Sequence, residues 1–182
     1  MDLRAELERG HSKPISLRIA EHIGADPDRF AVLMRCLLRE TPRIVQRAAW
    51  PMGMVCEAHP ELAVPWIATM LDLLDEPVHE AVHRNIVRTF QFCALPKKHH
   101  GRLTEAMFAW IADARKPIAP RASAISVALR LVKLYPELAD ELHLLVEEAL
   151  RHDPGPAIRS RAIKAMRVLE HGKRTHRGKS AQ

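Results

Sequence analysis

The sequence predicts an all-α fold built as a solenoid of about four stacked helical hairpins behind a short N-terminal helical cap. Four observations predict it. Apolar residues recur at helical spacing in eight successive segments, each read as an amphipathic helix. Prolines mark equivalent corners at Pro27, Pro60, Pro96 and Pro136. Arginines stand near the start of each second helix, Arg47, Arg84, Arg121 and Arg161, separated by 37, 37 and 40 residues. HPELA at 59–63 and YPELA at 135–139 are nearly identical and two repeats apart. A period of that length means that each hairpin buries its apolar face on its neighbours.

Taken in order, residues 2–9 and 14–23 read as two short helices, with Ser12 and Pro14 marking the start of the second. Together residues 1–26 form the expected cap. Asp26-Pro27 opens the first periodic helix, with the stripe Phe30, Leu33, Met34, Leu37 and Leu38. Thr41-Pro42 stops it and starts the next, which carries Val45, Ala48, Met52, Val55 and Cys56 and is expected to kink at Pro51. His59-Pro60 is the following corner. A helix through Trp66, Ile67, Met70, Leu71 and Leu74 then turns at Asp75-Glu76-Pro77 into one carrying Val78, Val82, Ile86, Phe90 and Cys93.

The third hairpin runs from Leu95-Pro96 through Leu103, Met107, Trp110 and Ile111, turns at Asp113 to Pro117, and returns through Ile118, Ala122, Ile125, Leu129 and Val132. The fourth uses Leu138, Leu142, Leu145, Val146 and Ala149, then Ile158, Ala162, Ala165, Met166 and Leu169 after Asp153-Pro-Gly-Pro156. The repeat domain is thus expected over 27–172. The remaining 173–182 are basic and almost free of apolar residues, and are expected to form a disordered tail.

Composition narrows the class. With 47% hydrophobic and 27% charged residues the chain reads as an ordinary globular protein. Aromatics at 4% and an aliphatic, Ala-rich content favour helix over strand. Cys36, Cys56 and Cys93 are widely spaced and lack a Cys-x-x-Cys pair, so reduced thiols in the cytoplasm are expected. The N-terminus has no apolar run of signal-peptide type and no stretch approaches membrane-spanning length, so no membrane association is expected.

At the corners the chain resembles the HEAT-repeat family, and small bacterial HEAT-like proteins in particular. The resemblance rests on a turn acid followed by proline, an apolar-Arg pair and a small residue; Asp153-Pro-Gly-Pro-Ala-Ile158-Arg159-Ser-Arg161-Ala162 matches it best, with Asp75, Asp113 and Glu40 in comparable turns. It covers roughly 27–170 and implies a right-handed α-solenoid, armadillo-like in class. It also implies that turn acids pair with second-helix arginines, so that Asp75, Asp113 and Asp153 would meet some of Arg84, Arg121, Arg159 and Arg161. The second helices would line the concave side.

His79-Glu80-Ala81-Val82-His83 satisfies the H-E-x-x-H zinc pattern. The repeat register places His83 opposite Gln46 and Ser160, and His79 opposite Pro42 and Pro156, which are ordinary polar and helix-start positions. The continuation is Arg-Asn-Ile-Val-Arg, without a further ligand, so metal at His79 and His83 would be adventitious. Lys97-Lys98-His99-His100-Gly101-Arg102 reads as a solvated corner or an anion-binding one. No cofactor and no catalytic residue are expected.

Charge divides by layer. Net charge is +6. The second helices (42–58, 78–94, 118–134, 157–170) hold eleven bases against three acids; the first (28–39, 61–74, 102–115, 137–151) hold six against ten. A basic layer attracts acidic protein segments or phosphate backbones. At Trp50 the later repeats carry Val87, Ala124 and Lys164, and Trp50 lies three residues from Arg47. That corner is either a contact point for a partner or a packing site for the cap. The reading is a non-catalytic scaffold that binds a protein partner or acidic segment through Arg43, Arg47, Trp50, Arg84, Arg88, Arg121 and Lys164. The alternative is a nucleic-acid-binding protein, distantly related to HEAT-like alkylpurine DNA glycosylases.

Overall fold

The computed structural model describes the backbone of residues 1–179 and the side chains of residues 1–171; the basic tail expected over 173–182 lies outside the described side chains. Ten α-helices and three short 3-10 helices are present, with no strand among the described residues. The chain divides into two compact units, Met1–His99 and His100–Gln182.

In the first unit, α1 (Leu3–Arg9) and α2 (Lys13–Ile23) precede α3 (Pro27–Arg39) and α4 (Pro42–Ala58). Their starts are set by side chains that satisfy orphan backbone donors. Asp2 accepts from the Ala5 amide at 3.1 Å, and Asp26 accepts from the amides of Asp28 and Arg29 at 2.9 and 3.1 Å, with Pro27 at the first helical position. Gly24 ends α2 at φ +53, the left-handed region that favours glycine. Thr41 takes the N-cap position of α4 but makes no side-chain capping bond, and Pro51 stands inside the helix with its ring buried.

α5 (Ile67–Asp75) starts later than the 61–74 expected, because the chain first runs as a 3-10 helix from Pro60 to Trp66. Pro65 has no N–H to give an α-helical bond there. α6 (Glu80–Thr89) is likewise shorter than the 78–94 expected, since His79 is its N-cap and its ladder stops at Thr89. Trp66, expected in the core, is only half-buried, whereas Trp110 is buried.

α4 is the centre of this unit and packs against α1, α2, α3 and α6. Ala48, Ala49 and Gly53 keep its surface low where neighbours approach. Asn85 of α6 lies over Gly53; its side-chain amide donates to the Ala81 carbonyl at 2.8 Å, and the Thr89 hydroxyl donates to the Asn85 carbonyl at 2.9 Å. Phe30, Leu33, Met34 and Leu37 of α3 are buried as the stripe predicts, each contributing about 1.5–3 kcal/mol.

In the second unit, α7 (His100–Ala112), α8 (Ile118–Val132), α9 (Ala139–His152) and α10 (Pro156–Lys179) form two further hairpins. α8 packs on α7 and α10, and α9 packs on α7 and α10. His100 is buried at the start of α7, its Nδ1 2.9 Å from the Tyr135 hydroxyl. Lys116 places its ammonium 4.5 Å from the Trp110 ring centre, closing the α7–α8 turn. Cys36, Cys56 and Cys93 are buried and form no disulfide among the described residues, and burial pushes the Cys56 thiol up to about 12. No helix of the described residues is long and apolar enough to cross a membrane.

Candidate protein-binding surface

α4 is covered on several sides; Pro42, Val45 and Ala58 reach solvent in whole or in part, and its polar face is one stripe: Arg43, Gln46, Arg47, Trp50, Met54 and Glu57. These positions follow helical spacing, so they lie along a single face. Arg43 and Glu57 are exposed and the other four are partly buried. α6 also presents one exposed stripe, Glu80, Arg84 and Arg88, at i, i+4 and i+8. The Arg88 guanidinium donates to the Glu57 carboxylate at 2.7 Å and so ties the two stripes together.

The predicted residues have unequal parts in this surface. Arg43 and Arg84 are exposed, and neither is paired with another described residue. Arg88 is exposed and shared with Glu57. Arg47 is turned toward the N-terminal helices: its Nη1 donates to the carbonyls of Leu7 and Glu8 at 2.9 and 3.0 Å. These are last-turn carbonyls of α1, which lack helical partners and carry the negative end of the helix dipole. Trp50 lies beside His11, ring centres 5.6 Å apart and planes tilted by 55°. The Arg47–Trp50 corner therefore packs the cap, while part of the indole still meets solvent.

Arg121 and Lys164 belong to the second unit. Lys164 is exposed on α10. Arg121 is only 1% exposed and is paired with Asp153, so its guanidinium is turned inward and Arg121 is not part of the candidate surface. Sequence spacing put it in register with Arg47 and Arg84, but spacing alone does not separate an arginine turned inward to an acid from one turned outward.

The two histidines of the H-E-x-x-H pattern serve the backbone. His79 is the N-cap of α6, its Nδ1 accepting from the Ala81 amide at 3.1 Å. His83 places Nε2 3.2 Å from the Leu73 carbonyl and 3.1 Å from that of Glu76, so this nitrogen carries the proton and donates. His79 Nδ1 and His83 Nε2 are thus committed to backbone groups. No group of three or more His, Cys, Asp or Glu side chains placed to hold a metal occurs among the described residues.

Met54, half-buried midway along the α4 stripe, was missed in the sequence. It stands between Trp50 and Glu57 at helical spacing, and that spacing was the available signal.

A family model described as the HEAT repeat domain matches residues 3–168 and so includes α1 and α2. Comparison with curated proteins gives no match, and comparison with solved structures gives none.

Proposed function

The chain belongs to the HEAT repeat family, and from that membership we propose that it is a non-catalytic scaffold binding an acidic protein segment on the α4–α6 surface. The observation that carries this reading is the Arg88–Glu57 ion pair, which joins the two exposed stripes into one surface. On that surface Trp50 and Met54 offer apolar area, and Arg43 and Arg84 offer charge that no described residue neutralises. Partly exposed aromatic and Met side chains flanked by arginine are the composition enriched where proteins meet. Lys164 provides a similar exposed base on the second unit.

The test is fluorescence anisotropy with a short labelled peptide rich in Asp and Glu and bearing a central Leu. Binding is expected at low salt, with Arg43→Glu/Arg84→Glu weakening it by roughly tenfold or more. A peptide that fails to bind, or binds the variant equally well, overturns the reading. The net charge of +6 and pI of about 9.6 keep nucleic acid as the second reading. It is separated in the same assay by labelled duplex and single-stranded DNA, whose affinity would exceed that of the peptide and fall steeply with salt.

A further inference from the structure

α9 and α10 form the last hairpin. Its inner side packs on α7 and α8, and its outer side is covered by no described residue. On α9 the exposed positions are Asp140, Glu141, Leu144, Glu148, Arg151 and His152; on α10 they include Arg159, Ile163, Lys164 and Arg167. Each set follows helical spacing and has an exposed aliphatic residue near its middle. Leu144 is 63% exposed, the highest of any large apolar residue in the described chain, and Ile163 is 38% exposed. The helices have opposite charge. α9 has four acids against Arg151, and the described part of α10 has four bases against Glu170. Glu141, Arg159, Lys164 and Arg167 make no ion pair with any described residue, while Glu148 is shared within α9 by Arg151 at 2.9 Å and His152 at 2.8 Å.

We propose that this hairpin is a self-association surface on which a second copy of the chain docks, α9 of each copy lying over α10 of the other. The occupant follows from the charge pattern. An acidic and a basic helix side by side on one chain are complementary to the same pair turned by a two-fold axis parallel to the helices, which makes an isologous interface. A two-fold axis across the helices would instead set α9 on α9, bringing Glu141 and Glu148 against their own copies, and α10 on α10, bringing Lys164 and Arg167 against theirs. Charge selects the first arrangement, and Leu144 and Ile163 supply the apolar centre. Arg43 and Arg84 belong to the other unit and take no part, so this inference stands or falls separately from the peptide-binding surface.

Analytical ultracentrifugation of the full chain tests it. At low salt the wild type is expected at about twice the 20.6 kDa chain mass, dissociating as salt rises because the rim pairs are screened. Two charge-reversed variants are then made: Glu141→Lys/Glu148→Lys, with both outer helices basic, and Arg159→Glu/Lys164→Glu/Arg167→Glu, with both acidic. Each alone is expected to be monomeric. Mixed one to one they are expected to form a heterodimer, a gain that a misfolded variant cannot give; circular dichroism checks helicity beforehand. Leu144→Asp is expected to weaken the wild-type dimer at least tenfold. A wild type monomeric at all concentrations, variants that remain dimeric alone, or a mixture that stays monomeric would each overturn the proposal.

Discussion

Arg121 of α8 and Asp153, at the corner between α9 and α10, form an ion pair with unequal exposure: the arginine side chain is 1% exposed and the aspartate side chain 27%. Arg121 also donates from Nη2 to the Ile111 carbonyl at 3.3 Å. Nε is buried without a partner among the described residues. The pair ties the third hairpin to the corner of the fourth. An arginine in that position tolerates burial only because the carboxylate neutralises it.

Removing the acid is therefore expected to be worse than removing the base. Asp153→Ala leaves a buried guanidinium unpaired, which costs about 3–5 kcal/mol where both partners are buried; partial solvation of Asp153 puts the expectation at the lower end. Arg121→Met removes the charge and keeps most of the volume, so it is expected to cost less. Urea unfolding of the two variants checks this, and equal losses or the reverse order would contradict it.

Legibility in the sequence followed the physics of each feature. The stripes of α3 and α10 were readable because burial along a helix imposes a period, and Phe30, Leu37, Ile158 and Leu169 are all buried. The α5 start was misread because Pro65 interrupts hydrogen bonding without interrupting apolar spacing. The arginine ladder was visible as a period, but the roles of its members depend on partners far away in sequence: Leu7 and Glu8 for Arg47, Asp153 for Arg121. The outward stripe of α4 needed the packing of α1, α2, α3 and α6 before its exposed side was defined.

At Gly53 the α4 backbone lies directly against Asn85 of α6. A Cβ built there would stand 2.5 Å from Asn85 Oδ1, 3.2 Å from its Cγ and 3.3 Å from its Cβ. Asn85 is buried and its amide is already bonded to Ala81, so it has little room to withdraw. Alanine would otherwise gain about 1 kcal/mol in helix propensity, against about 1–3 kcal/mol for overpacking. Gly53→Ala is expected to lower stability, and Asn85→Ala in the same chain to recover part of the loss. A stabilised Gly53→Ala in thermal melts would show that the helices separate freely.

Asp113 and Glu6 are among the carboxylates that make stability depend on acid pH, as is Asp26, which is held low chiefly by the Arg29 backbone amide. Asp113 is held down to about 2 by Arg115, which donates from Nε at 2.8 Å, Nη2 at 3.0 Å and its backbone amide at 3.0 Å. Glu6 is buried and held below its ordinary 4.5, chiefly by the Arg18 guanidinium, with Arg9 adding at 3.1 Å. Each folded form releases its proton more readily than the unfolded one. Their contribution is thus present above the ordinary carboxylate values and lost as pH falls, for Asp113 from near 3.8 to about 2. The melting temperature is expected to decline across that range, and Asp113→Asn with Glu6→Gln to flatten the decline. An unchanged slope in the double variant would assign acid sensitivity to other groups.

Arg47 separates a cap role from a ligand role. Its two bonds hold the carbonyls of Leu7 and Glu8, so Arg47→Ala exposes the C-terminal end of α1 and removes the cation opposite its dipole. Charged hydrogen bonds are worth about 1.5–3 kcal/mol. Partial exposure of Arg47 reduces this to roughly 1–2 kcal/mol, because water replaces some of what is lost. Amide exchange in α1 is expected to accelerate by about tenfold, the factor that corresponds to 1.4 kcal/mol, while affinity for the acidic peptide stays within about twofold of wild type. The charge then matters to the peptide only through Arg43 and Arg84. Unchanged exchange in α1 together with a tenfold loss of peptide affinity would instead make Arg47 a contact residue and the cap independent of it.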